Sequence, residues 1–233
     1  MRHTQALPFA TALLLLACTD SAPPESYPDA VAADPDHYTV EFENDAVRLL
    51  RIRYAPGESS VLHHHPATCS VALSDMSWGM TDAEGEHTEN SNSMGEVACG
   101  DGSVHLPENV GTTENEVLLI EFKDGAMAGA TTWEEPDAVS ADPAHYSVEF
   151  ENEVARVVRI RYENGEAGVM HRHPANCVVW LTDAATTDDT EAEAPSMGSV
   201  SCSDTDVHTP AGSPGNRVEL VAFEFKGRET LQN

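Results

Sequence analysis

A stretch of 39 residues in this chain recurs almost unchanged. His37 to Asp75 returns as His145 to Asp183 at a constant offset of 108, with 23 positions identical, among them Val-Glu-Phe-Glu-Asn, Arg-Ile-Arg-Tyr and His-x-His-Pro-Ala. The match then resumes at an offset of 103, from Val97-x-Cys99 against Val200-x-Cys202 to Glu121-Phe122-Lys123 against Glu224-Phe225-Lys226. The change of offset comes from a loop between Asp75 and Met94 that is five residues longer than its partner between Asp183 and Met197. Units of about 105 residues are too long for a solenoid repeat and suit two tandem copies of one domain. The copies are expected at 29–125 and 137–233, joined by a linker at 126–136.

Inside each copy the apolar pattern has period two. Leu50, Ile52 and Tyr54 alternate with Arg51 and Arg53, and Leu118, Ile120 and Phe122 alternate with Val117, Leu119 and Glu121. Runs are short, β-branched residues are frequent, and no long 3.6-residue period occurs. An all-β sandwich, jelly roll or barrel is expected for each copy. Forty acidic against 12 basic residues give a formal charge of −28. That field excludes phosphate-neutralising contacts to nucleic acid and electrostatic docking on an anionic bilayer. With two lysines beside ten arginines, the composition resembles that of proteins from salt-rich habitats; a generally acidic exported protein is the alternative.

Met1-Arg2-His3 followed by the apolar Leu7–Ala17 has the proportions of a secretory leader and is too short to span a bilayer. Leu15-Leu16-Ala17-Cys18 resembles the bacterial lipobox, which implies a leader at 1–17, lipidation of Cys18 and a tether at 18–28. An ordinary signal peptide that happens to contain a cysteine is the alternative. The expected product is an exported, lipid-anchored envelope protein. By the usual bacterial sorting rule, Thr19 after the cysteine rather than Asp favours the outer membrane where the envelope has one.

Gly57, five residues and His63-His64-His65 are matched by Gly165, five residues and His171-Arg172-His173. His105-Leu-Pro-Glu-Asn109, preceded by Gly102, is matched by His208, with Thr205 and Gly212 in the flanking places. These spacings resemble the two cupin motifs, so the chain resembles a bicupin: two tandem cupin-type jelly-roll barrels. In a strand, residues i and i+2 share a face, so His63 and His65 enter one barrel together while His64 points away. The resemblance implies one metal centre per barrel, from His63, His65 and His105 and from His171, His173 and His208. Neutral imidazoles suit a divalent transition metal such as iron, zinc, manganese, nickel or copper, and three ligands leave positions open. His37 and His145 are read as capping or surface groups, and His87 lies in the polar long loop without a counterpart in the second copy.

Most metal-binding cupins place a glutamate three or four residues after the second histidine, where this chain has Cys69 and Cys177. The remaining set resembles the three-histidine sites of thiol and diketone-cleaving dioxygenases and counts against oxalate chemistry. Setting Cys18 aside leaves two repeat-equivalent pairs, Cys69 with Cys99 and Cys177 with Cys202. In an exported protein this arithmetic favours two disulfides over thiolate ligation. Arg48, Arg51 and Arg53 recur as Arg156, Arg159 and Arg161 and are read as pairing with Glu41, Glu43, Glu149 and Glu151 on a wet sheet face rather than as substrate anchors. Tyr54 and Tyr162 are read as core residues.

Two function classes are consistent with these features. One is a metal-dependent, dioxygenase-like enzyme acting on a small molecule. The other is a non-catalytic module that holds metal or a small ligand at the envelope. No Gly-x-Ser-x-Gly and no phosphate-cradling glycine loop is present. The first barrel is the better candidate for catalysis, because it keeps Gly102 and Asn109 and its longer loop carries Trp78 and Met80 over the expected pocket mouth.

Overall fold

The computed structural model describes residues 26–123, 133–184, 194–212 and 215–231. The leader, Cys18, most of the tether and linker residues up to 132 lie outside the described residues. In the first copy a short turn of helix, α1 (Ala30–Ala33), precedes nine strands. They are β1 (Tyr38–Glu43), β2 (Val47–Tyr54), β3 (His63–His65), β4 (Thr68–Ala72), β5 (Met76–Asp82), β6 (His87–Asn92), β7 (Val97–Gly100), β8 (Ser103–Asn109) and β9 (Asn115–Phe122). The second copy has α2 (Ala138–Ala141), then β10 (Tyr146–Glu151), β11 (Ala155–Tyr162), β12 (His171–His173), β13 (Asn176–Trp180), β14 (Val200–Ser203), β15 (Asp206–His208) and β16 (Val218–Phe225).

Each copy has a five-stranded antiparallel sheet, ordered β1-β2-β9-β4-β7 in the first and β10-β11-β16-β13-β14 in the second. A second sheet joins β3-β8-β5-β6 in the first copy and β12-β15 in the second. The extra five residues of the first copy lie in the β5–β6 region. Among the described residues no helix is long and apolar enough to cross a membrane.

The two faces of the five-stranded sheets have different partners. Leu50, Ile52 and Tyr54 of β2 form a buried cluster with Val117 and Leu119 packed on it. The opposite row, Val47, Leu49, Leu118, Ile120 and Phe122, joins Val157, Val179, Val221, Phe223 and Phe225 of the second copy in one continuous core. The largest apolar cluster therefore joins the two repeats rather than filling either one. Its edges are tied reciprocally. Arg51 Nη2 donates to Gly198 O at 2.6 Å, and Arg159, its repeat equivalent, donates to Gly95 O. Asn44 Nδ2 donates to Leu231 O at 2.9 Å, again across the copies.

Cys69 lies directly opposite Cys99 in the β4–β7 ladder, and Cys177 opposite Cys202 in β13–β14. Both pairs are disulfides, with Cα–Cα separations of 4.1 and 4.0 Å. This removes thiolate ligation from the possible roles of these cysteines.

Candidate metal centres and cavity

Strand parity delivers the histidines. β3 shows the alternation buried, exposed, buried for His63, His64 and His65, and its register sets His63 opposite His105 of β8. The second copy repeats this with His171 opposite His208. His63, His65 and His105 converge so that one nitrogen from each lies within 4.8 Å of the others, and so do His171, His173 and His208. His64 faces outward. His37 pairs with Asp34 at 2.8 Å and stacks on Tyr54, and His145 does the same with Asp142 and Tyr162. His87 lies on the exposed β6 strand.

The rings are oriented from behind. His63 Nδ1 lies 2.7 Å from Val61 O. A carbonyl can only accept, so this nitrogen carries the proton and Nε2 keeps its lone pair. His65 Nδ1 lies 2.7 Å from Glu121 Oε1, which fixes its tautomer in the same sense. The two Nε2 atoms consequently face each other at 3.0 Å. In the second copy His171 Nε2 and His173 Nε2 face each other at 2.9 Å, with His173 Nδ1 held by Glu224 Oε1 at 2.7 Å. In the first copy two lone pairs at that separation repel unless a cation or a shared proton lies between them. In the second, His171 Nδ1 has no hydrogen-bond partner among the described residues, so only His173 is fixed from behind. The donor set therefore fits a borderline transition metal.

Glu121 and Glu224 are buried to 1% and 0% exposure. Each is met by an arginine of the neighbouring strand: Arg48 Nε donates to Glu121 Oε2, and Arg156 Nε donates to Glu224 Oε2 at 2.6 Å. Asp29 and Asp137, just before α1 and α2, take the other edge of each guanidinium. Burial alone would raise the Glu121 carboxyl, but the hydrogen bonds from His65 and Arg48 outweigh it and hold it below the ordinary range. These groups form an aspartate–arginine–glutamate–histidine chain in both copies. Arg48 and Arg156 thus turn inward, contrary to the wet-face expectation. Arg51 and Arg159 do pair with Glu41 and Glu149 as expected, and Glu43 and Glu151 are instead bound by Lys123 and Lys226. The signal for the inward pair was available: Arg48 shares parity with Leu50, Ile52 and Tyr54, and Glu121 with Val117 and Leu119.

Burial, with His65 and His63 nearby, pushes His105 down to about 3. Burial, then His173 and His208, pushes His171 down to about 4. Both are neutral, ligand-ready imidazoles at neutral pH. Tyr38, not singled out by its sequence, sets its Oη 3.0 Å from His63 Nε2, and burial raises its hydroxyl well above the usual tyrosine range.

A cavity of about 460 Å³ opens beside the first triad. It is lined by His65, His105 and Tyr38 and extends to Trp78 and Met80 of β5, as the loop position suggested. Tyr54 is buried and lines it as well, so it is a wall residue as much as a core residue. The second cavity is smaller, about 290 Å³, and its third histidine, His208, is 42% exposed. Gly102 is explained by crowding: a Cβ there would lie 3.0 Å from His65 O. Asn109 closes the end of β8 by donating to the carbonyls of Tyr54 and Thr113, each at 2.8 Å.

No protein-family model matches the sequence, and neither does any curated protein. Solved structures do resemble it in fold. AerE from Microcystis aeruginosa aligns over 82% of this chain and 93% of its own, with a TM-score of 0.57 and 12% identity. A cupin 2 conserved barrel domain protein from Leptotrichia buccalis aligns over 81% and 88%, with a TM-score of 0.54 and 10% identity. Salicylate 1,2-dioxygenase from Pseudoaminobacter salicylatoxidans, solved as adducts with gentisate, aligns over 77% and 68%, with a TM-score of 0.50 and 12% identity. At these identities the likeness shows the fold alone, and that fold is the cupin jelly roll.

Proposed function

We propose that the chain is an exported bicupin holding one divalent transition metal in each barrel, and that the first barrel is a metal-dependent, dioxygenase-like enzyme acting on a small molecule. The observation that carries the metal reading is the pair of lone-pair-bearing Nε2 atoms of His63 and His65, aimed at one another while both Nδ1 atoms are engaged behind them. His105 completes the set in the first barrel, and His171, His173 and His208 form the set in the second. A redox-active metal such as iron would supply dioxygen activation and polarisation of a substrate donor group at such a site. The protein's own part is distinct. Glu121 keeps the proton on His65 Nδ1, Arg48 neutralises Glu121, and Tyr38 holds a hydroxyl proton next to the ligand face. The apolar wall around Val117 and Leu119 keeps water from the reacting end.

The smaller cavity and the exposed His208 favour a non-catalytic, metal-holding role for the second barrel. The lipobox at Leu15-Leu16-Ala17-Cys18 and the two disulfides support export and attachment to the envelope through Cys18. Elemental analysis of the purified protein tests the reading, followed by oxygen uptake with panels of thiols and diketones. Near two metal ions per chain is expected, falling to one when His63 and His65 are both replaced by alanine. A metal-free protein that takes up none on dialysis ends the proposal.

A further inference from the structure

β9 lines the first cavity with Asn115, Val117 and Leu119, and Glu121 continues the same row of the strand. Glu121 stands behind the histidines, and Asn115 is six residues away, about 20 Å along an extended strand. Asn115 is 5% exposed. Its amide is oriented by Nδ2 donating to Ser77 O at 3.0 Å, which leaves Oδ1 as the free acceptor of a residue that lines the cavity. Among the described residues that oxygen has no hydrogen-bond partner. A buried acceptor left unmade costs free energy in the empty protein, so it marks a place where a donor is expected to arrive. In the second copy the corresponding position, opposite Tyr162 as Asn115 is opposite Tyr54, is Val218. The acceptor belongs to the first barrel alone.

The rest of the wall narrows the chemistry. Among the described residues no lysine or arginine lines this cavity, whereas Glu96, Asp101 and Glu108 do. Arg48, which reaches His65 only through Glu121, is already bound by Asp29 and Glu121. Next to Asn115, Ser77 is flanked by Met76 and Trp78, whose side chains line the cavity and offer an apolar and aromatic surface. A carboxylate in this cavity would meet an acidic lining without a compensating cation, and could not donate to Asn115.

We infer that the first barrel takes an elongated, uncharged or cationic small molecule with an apolar or aromatic body, whose end remote from the histidines carries an O–H or N–H group donating to Asn115 Oδ1. The inference rests on the first cavity being the substrate site, and it excludes small carboxylates as the ligands of the Asn115 end.

Isothermal calorimetry on the full mature chain, with metal content determined on the same sample, tests it with four probes that share one ring: naphthylmethanol, its methyl ether, naphthylmethylamine and naphthoate. The alcohol and the amine are expected to bind about tenfold or more tightly than the ether and the carboxylate. Asn115→Val, which copies the second barrel, should lower the alcohol to the affinity of the ether. Its melting temperature checks that it folds, and Trp78→Ala should weaken the alcohol and the ether by similar factors. Naphthoate binding as tightly as the alcohol overturns the inference, as does an alcohol-to-ether ratio unchanged by Asn115→Val, or no binding of any probe. A sample without metal that keeps the expected order of affinities overturns the metal proposal instead and leaves this inference standing.

Discussion

His65 donates from Nδ1 to Glu121 Oε1 at 2.7 Å, and this one contact determines which nitrogen of the ring faces the other histidines. Glu121→Gln keeps the size of the side chain but replaces the charged acceptor and loosens the hold on Arg48. Metal affinity at the first site should fall about 10–100-fold. Glu224→Gln should do the same at the second site only. Competition titration with a zinc chelator, site by site in backgrounds lacking the other triad, measures both. Equal affinities for variant and parent would show that the carboxylate does not orient the ligand.

The same carboxylates make a stability prediction that separates the two barrels. The Arg156 side chain is 3% exposed and bridges Glu224 at 0% and Asp137 at 8%. Arg156→Met strands buried negative charge and should cost about 3–5 kcal/mol. Arg48→Met should cost less, because its partner Asp29 is 43% exposed and can be rehydrated. Urea midpoints at constant slope give the comparison. A smaller loss for Arg156→Met than for Arg48→Met would contradict the burial argument.

Acid sensitivity follows from the depressed imidazoles. In the metal-free protein His105 titrates near 3 and His171 near 4 when folded, against 6.5 ordinarily. Between those values the unfolded chain binds more protons than the folded one, so stability is full above about pH 6.5 and falls as the pH drops towards 4. Glu121, held below its ordinary 4.5, extends the loss to lower pH. Urea midpoints at a series of pH values should decline through this window, and less steeply for His171→Ala. A flat profile from pH 7 to 5 would refute the assignment.

The β architecture and the histidine triads were legible because both rest on short-range rules: period-two burial fixes a strand's faces, and His-x-His puts two rings on one of them. The third histidine came from the resemblance of His105-Leu-Pro-Glu-Asn109 to the second cupin motif, and repetition supplied the cysteine pairs. Glu121 and Arg48 were visible as repeated residues of inward parity, but parity cannot say that a carboxylate on β9 meets a guanidinium on β2 and an imidazole on β3. That needs the register of the sheets and the fold that brings them together. The core between the copies was hidden for another reason. Leu49 and Leu118 share strands with Leu50, Leu119 and Val117, and both faces read as apolar, so the pattern does not distinguish the barrel interior from the face turned to the other copy.

That shared core leads to a prediction about cooperativity. Leu118, Ile120, Val221 and Phe223 belong to one buried cluster contributed by both repeats, and the reciprocal bonds of Arg51 and Arg159 bind its edges. A barrel unfolding alone would expose the partner's half of the cluster to water, at about 25 cal/mol for each Å² of apolar surface. The two copies should therefore unfold together. Trp78 reports the first barrel and Trp180 the second, so variants in which Trp133 and one of these two are replaced by phenylalanine can follow each barrel by fluorescence during urea unfolding. Coincident curves are expected. Phe223→Ala, which removes a ring with no exposure from the centre of the cluster, should cost about 3–5 kcal/mol and move both curves, although the residue belongs to the second copy. A shift of the Trp180 curve alone would show that each barrel carries its own stability and that the cluster between them is a contact rather than a common core.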